Sequence, residues 1–115
     1  MNGQLHTPTF MEIGAAKTDG VGAFFSGLFG WEFETMGDDG EGWFETPAMK
    51  VGLHGNDPDP GFVPYFKVTD IHQAVAKVRE LGGTAEDEIA TEEGFGKFCN
   101  CVAPNGIRFG LHQSD

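Results

Sequence analysis

Strand, helix, strand, strand, strand is legible twice along this chain, and both runs end on Gly-Leu-His. The first copy of the tripeptide is Gly52-Leu53-His54 and the second is Gly110-Leu111-His112. A duplicated order of elements constrains a fold more than any single motif, because each copy must bury its apolar faces in the same way. The pattern predicts two βαβββ modules, about 7–54 and 62–113, joined by the Gly-, Pro- and Asp-rich linker 55–61. With 115 residues the chain suits one domain, 1–115, of the α+β class.

The elements follow from periodicity. TFMEIGAA (9–16) alternates as a strand. After it, Thr18 or Asp19 is positioned to cap a helix, with Val21, Phe24, Phe25, Leu28 and Phe29 as its buried stripe and Gly30 as its stop. Strands are expected at 31–35, 42–47 and 49–54. In the second copy a strand at 63–68 precedes the clearest helix, capped by Thr69 or Asp70. Its stripe is Ile71, Ala74, Val75, Val78 and Leu81, and Gly82-Gly83 ends it. Strands then fall within TAEDEIA, at 94–103 and at 107–112, with the turn Pro104-Asn105-Gly106 before the last.

Charge and cysteine usage exclude several function classes. The formal net charge is −11, which makes nucleic acid and anionic membranes poor partners. No stretch is long and apolar enough to span a bilayer, and no basic-then-apolar start suggests a secretory leader. Cys99 and Cys101 share one face of a strand, an awkward spacing for a mutual disulfide, and are expected as reduced thiols in a cytoplasmic protein.

Three stretches carry a family resemblance: FFSGLFGWEFE, VPYFKVTDIHQAVAKVRELGG and GFGKFCNCVAPNGIRFGLHQ. Together they resemble the vicinal oxygen chelate superfamily, which holds glyoxalase I, methylmalonyl-CoA epimerase, extradiol dioxygenases and the fosfomycin and bleomycin resistance proteins. Nearly the whole chain is covered. Ala103 departs from the Asp that usually opens the final turn. The resemblance implies a curved sheet around a concave cavity with the helices outside, and a homodimer. Alternation then turns Leu53 and Leu111 toward the helices and His54 and His112 toward the cavity.

Many members hold a divalent metal on that concave face. The positions that carry their ligands correspond here to Phe10, Gly52, Val63 and Gly110, none with a ligating side chain. Glu12, His54, Tyr65 and His112 stand one side-chain repeat further along, about 7 Å away. Two readings follow. In the first, the cavity is metal-free and binds a small molecule, cationic or aromatic, through Glu12, His54, Tyr65 and His112. The histidines then hydrogen-bond each other, Tyr65 or the ligand, and Lys50 or Arg108 holds Glu12. In the alternative, Glu12, His54 and His112 bind Fe, Ni, Zn or Mn in a lyase, isomerase or dioxygenase acting on vicinal oxygens. Glu12 is there a ligand or the catalytic base.

The remaining candidates have plainer expectations. His72 reads as exposed and His6 as part of a tail without fixed structure. Trp31, Trp43 and Phe62 read as core or dimer contacts. Asp57, Asp59 and the run Glu86-Asp87-Glu88 read as solvated.

Overall fold

A computed structural model describes residues 5–37 and 39–114, and in them two helices and nine strands. They form two compact units. One is Phe10–Val63; the other joins the described residues up to Thr9 with those from Pro64 onward.

The first unit is built from β1 (Pro8–Gly14), α1 (Val21–Phe29), β2 (Glu32–Thr35), β3 (Gly42–Glu45) and β4 (Lys50–His54). The strands lie in the order β2-β3-β4-β1, antiparallel except for the parallel pair of β4 with β1. Period-two alternation sends Ile13, Phe44, Val51 and Leu53 into one core with Met11, Val21, Phe25 and Phe33. The opposite face carries Glu12, Trp43, Lys50, Gly52 and His54.

Helix α1 differs from expectation at both its cap and its stripe. Gly20, with φ 78°, takes the N-cap position and supplies no side-chain bond. The Thr18 hydroxyl donates instead to the Asp39 carbonyl, 2.7 Å away. The side turned to the sheet is Val21, Gly22 and Phe25, whereas Phe24, Leu28 and Phe29 are exposed, Phe24 by 62%. The helix is apolar around most of its circumference, so periodicity could not select a face. Gly22 marks it: a Cβ there would stand 3.0 Å from the Phe33 ring, which would have to give by a few tenths of an ångström, so glycine favours the close approach of helix to sheet. Gly30 ends the helix as expected, its N–H bonding the Ser26 carbonyl.

The second unit contains β5 (Gly61–Lys67, entering the unit at Pro64), α2 (Ile71–Glu80), β6 (Thr84–Ala85), β7 (Ala90–Glu92), β8 (Gly96–Ala103) and β9 (Ile107–Gln113). β5 runs parallel to β9, β9 antiparallel to β8, and both short strands pair with β8. The single strand expected within TAEDEIA is thus split. Ala85 and Ala90 are five positions apart, while their partners Cys101 and Phe98 are three apart. The extra residues fall in Glu86-Asp87-Glu88, which is exposed as expected and has no apolar side chain to anchor it to the core.

Helix α2 follows its sequence signals more closely. The Asp70 side chain accepts from the Gln73 N–H at 3.1 Å. Ile71 and Val75 are buried against Val68, Cys99, Cys101 and Leu111, with Ala74 and Val78 alongside. Leu81 is a correction: it closes the helix and is 68% exposed. The chain turns away there, because Gly82 adopts φ 98° and the Gly83 N–H returns to the Val78 carbonyl. His6 is also corrected, since its backbone N–H donates to the Lys67 carbonyl at 2.8 Å. His72 is exposed. Among the described residues no helix is long and apolar enough to cross a membrane.

Candidate functional site

In the first unit, the parallel register sets Glu12 beside Gly52 and Gly14 beside His54. The four residues share the face away from Ile13 and Leu53. His54 bridges two carboxylates: its Nδ1 lies 2.8 Å from Glu12 Oε2 and its Nε2 3.1 Å from Asp57 Oδ2. A Cβ on Gly14 would stand 2.0 Å from Asp57 Oδ2, so Asp57 reaches the imidazole only because residue 14 is glycine. Asp57 is further fixed by its own N–H to the Ala15 carbonyl and by accepting the Asp59 N–H at 2.8 Å. Burial opposes charge on the imidazole, but the hydrogen bonds and charges of Glu12, then Asp57, outweigh it and hold the His54 pKa above its ordinary value. Carboxylate oxygens accept, so this arrangement favours the protonated ring, in which both nitrogens donate.

Asp57 corrects the expectation of a solvated linker acid, for its side chain is only 5% exposed. Glu12 is held by His54 rather than by Lys50. Lys50 Nζ instead lies 3.9 Å from Glu45 and 5.0 Å above the centre of the Trp43 ring. Trp31 packs into the core as expected, but Trp43 stands on the opposite face from Phe44.

In the second unit, Tyr65 pairs with Gly110 and its hydroxyl donates to Asn100 Oδ1. His112 is buried. Its Nε2 donates to the Phe95 carbonyl at 2.7 Å and its ring stacks on Phe95 with centroids 4.0 Å apart. A carbonyl only accepts, so Nε2 carries the proton, and Nδ1 faces the Thr9 hydroxyl at 3.4 Å. Leu53 and Leu111 are both buried in their cores, as the repeated tripeptide predicts.

The donor set does not fit the metal that the resemblance implies. Phe10, Gly52, Val63 and Gly110 offer no ligand atom, and neither glycine leaves an open place. A Cβ on Gly52 would meet Glu12 Oε1 at 2.4 Å, and one on Gly110 would meet the Tyr65 ring at 2.0 Å. A metal ligand must present a lone pair, and both nitrogens of His54 face carboxylates. Among the described residues no group of three or more His, Cys, Asp or Glu side chains is arranged to hold a metal ion.

No protein-family model matches this sequence, and comparison with curated proteins gave no match. Solved structures do match. Methylmalonyl-CoA epimerase from Mycobacterium tuberculosis is similar with a TM-score of 0.69 at 14% identity, over 100% of this chain and 93% of that one. A glyoxalase/bleomycin resistance protein/dioxygenase superfamily member from Vibrio splendidus gives 0.67 at 18% identity, over 92% and 97%. Catechol 2,3-dioxygenase gives 0.67 at 14% identity, over 96% of this chain and 41% of that chain. This chain has the vicinal oxygen chelate fold. At these identities the likeness establishes the fold alone. Within the vicinal oxygen chelate fold, two features here escaped the sequence reading. One is Asp57 as the second partner of His54, signalled only by a His-x-x-Asp spacing at the end of a strand. The other is the covering of both glycines by side chains from the neighbouring parallel strands.

Proposed function

We propose that this chain is a metal-independent small-molecule-binding protein whose ligand meets the Glu12–His54–Asp57 group on the open face of the first unit. The observation that carries this reading is the double engagement of His54. An imidazole held by carboxylates at both nitrogens presents charge and hydrogen-bonding capacity, but no lone pair for a metal. The His54 side chain is 39% exposed and that of Glu12 21%, so a ligand has access to both. Tyr65 and His112 are ligand-binding candidates of the second unit by itself. Free, buried cysteines suit the cytoplasm, and the fold's resemblance supports a homodimer.

The metal-dependent lyase, isomerase or dioxygenase requires His54 to surrender a carboxylate for each nitrogen it offers to a metal. Metal analysis decides between the readings, on protein purified without a metal-affinity tag. Wild type and His54→Ala should both lack stoichiometric Fe, Ni, Zn and Mn. A small-molecule panel should raise the melting temperature of wild type more than that of Glu12→Gln. Stoichiometric metal in wild type that is lost in His54→Ala overturns the reading.

A further inference from the structure

On the same face of the first unit, β-sheet register sets Glu34, Trp43, Gly52 and Glu12 in one line across four strands. The next line along the strands is Glu32, Glu45, Lys50 and Phe10. Four carboxylates therefore share this face with the Lys50 ammonium and the His54 imidazolium. Trp43 and Phe10 are its half-buried aromatics, and on the flank of the indole beside Gly52 the neighbouring side chain is the Glu12 carboxylate.

The indole is held in place. Its Nε1–H donates to Glu45 Oε2 at 2.8 Å, which fixes the ring edge and leaves a π-face toward Lys50. Lys50 Nζ sits 5.0 Å from the ring centre, within the distance at which a cation is attracted by the ring quadrupole. Its carboxylate partner Glu45 is 3.9 Å away, and both side chains are about half exposed. The chain thus places one of its own cations on an aromatic face flanked by carboxylates, in a geometry that exposed side chains leave readily.

We propose that Trp43 forms a subsite for an organic cation, with Glu45 and Glu12 as the flanking carboxylates and Lys50 as the intramolecular occupant that the ligand displaces. This rests on the reading of this face as the ligand site. A quaternary ammonium or similarly diffuse cation suits it better than a small hard ion, because the ring offers polarisable surface and no lone pair. Two strand spacings separate β3 from β1, about 10 Å, and the Glu12 carboxylate reaches across that gap over Gly52, toward the Trp43 strand.

The test is titration with choline and with its uncharged isostere 3,3-dimethylbutan-1-ol, followed by the indole N–H resonance of Trp43 and by calorimetry. Choline should bind and the isostere should not. Trp43→Leu should weaken choline binding by about 5-fold or more. Lys50→Met should strengthen it by about 3-fold, since the occupant is gone. A gain of affinity cannot come from a damaged fold, so this variant guards against misreading the Trp43 substitution. Equal binding of choline and the isostere overturns the subsite, as does binding indifferent to both substitutions. If neither wild type nor Lys50→Met binds choline, while a neutral or anionic compound binds through Glu12 and His54, the subsite is wrong and the small-molecule reading stands. If nothing in the panel binds, both are wrong.

Discussion

The carboxylate of Glu12 lies over Gly52, its partner across the parallel pair, so that a Cβ on Gly52 would stand 2.4 Å from Oε1. Tyr65 and Gly110 repeat the relationship in the second unit, with the ring in place of the carboxylate. The duplication thus extends beyond the order of elements to a side chain covering the glycine of each Gly-Leu-His.

These two glycines differ in what a methyl group would displace. At Gly52 it meets the end of a side chain that swings aside, and Gly52→Ala should cost about 1 kcal/mol while breaking the Glu12–His54 bond. At Gly110 it meets three atoms of a buried ring already bonded to Asn100, so Gly110→Ala should cost about 3 kcal/mol. Urea midpoints of the two variants check the order, and equal losses contradict it.

His54 makes stability depend on pH in a definite direction. Its folded-state pKa is raised above the ordinary 6.5, so the stabilisation is fully present below pH 6.5. It is lost as pH rises through the folded-state value. The side chain is more than a third exposed, so solvent screening limits the effect to a fraction of the ideal linkage, roughly 0.5 kcal/mol. Denaturation at pH 6 and pH 8.5 should show the fall in wild type and lose it in His54→Gln. NMR titration should show a lower His54 pKa in Glu12→Gln.

Helix substitutions separate what periodicity disclosed from what it could not. Ile71 and Leu81 belong to one predicted stripe, but Ile71 is fully buried while Leu81 lies past the turn that Gly82 imposes. Ile71→Ala should cost about 3 kcal/mol and Leu81→Ala under about 0.5 kcal/mol, read from thermal melts. The sheet faces were legible because period two leaves only two choices at Leu53 and Leu111. The α2 cap was legible because Asp70 and Gly82 have local chemistry. The face of α1 was not, since its choice rests on how closely Gly22 approaches Phe33. Nor was the burial of Asp57, which depends on a glycine 43 positions earlier in the chain leaving room for it.

Asp57 and Asp59 look alike in sequence and should behave differently. Asp57 is buried and accepts from His54 and from the Asp59 N–H. Asp57→Ala removes the charged acceptor of the half-buried His54 ring and of that N–H, and should cost about 2 kcal/mol. Asp59 is exposed, and Asp59→Ala should stay within about 0.5 kcal/mol. Comparable losses in denaturant melts contradict the role given to Asp57.

The paired cysteines should be inert until the chain unfolds. Cys99 and Cys101 are free and buried on one side of β8, and burial pushes both thiols up, Cys101 to about 12. At pH 8 only roughly one Cys101 in ten thousand is then a thiolate, against about a quarter of free thiols at the usual 8.5. A thiol-specific disulfide reagent should leave native protein almost unlabelled over minutes and titrate both cysteines in 8 M urea. The same shifts act on stability. Above pH 9 the unfolded chain releases thiol protons that the folded chain retains, so stability should decline as pH rises past that value. Cys101→Ala should flatten the decline. Rapid native labelling, or a decline unchanged in Cys101→Ala, counts against a closed core around β8.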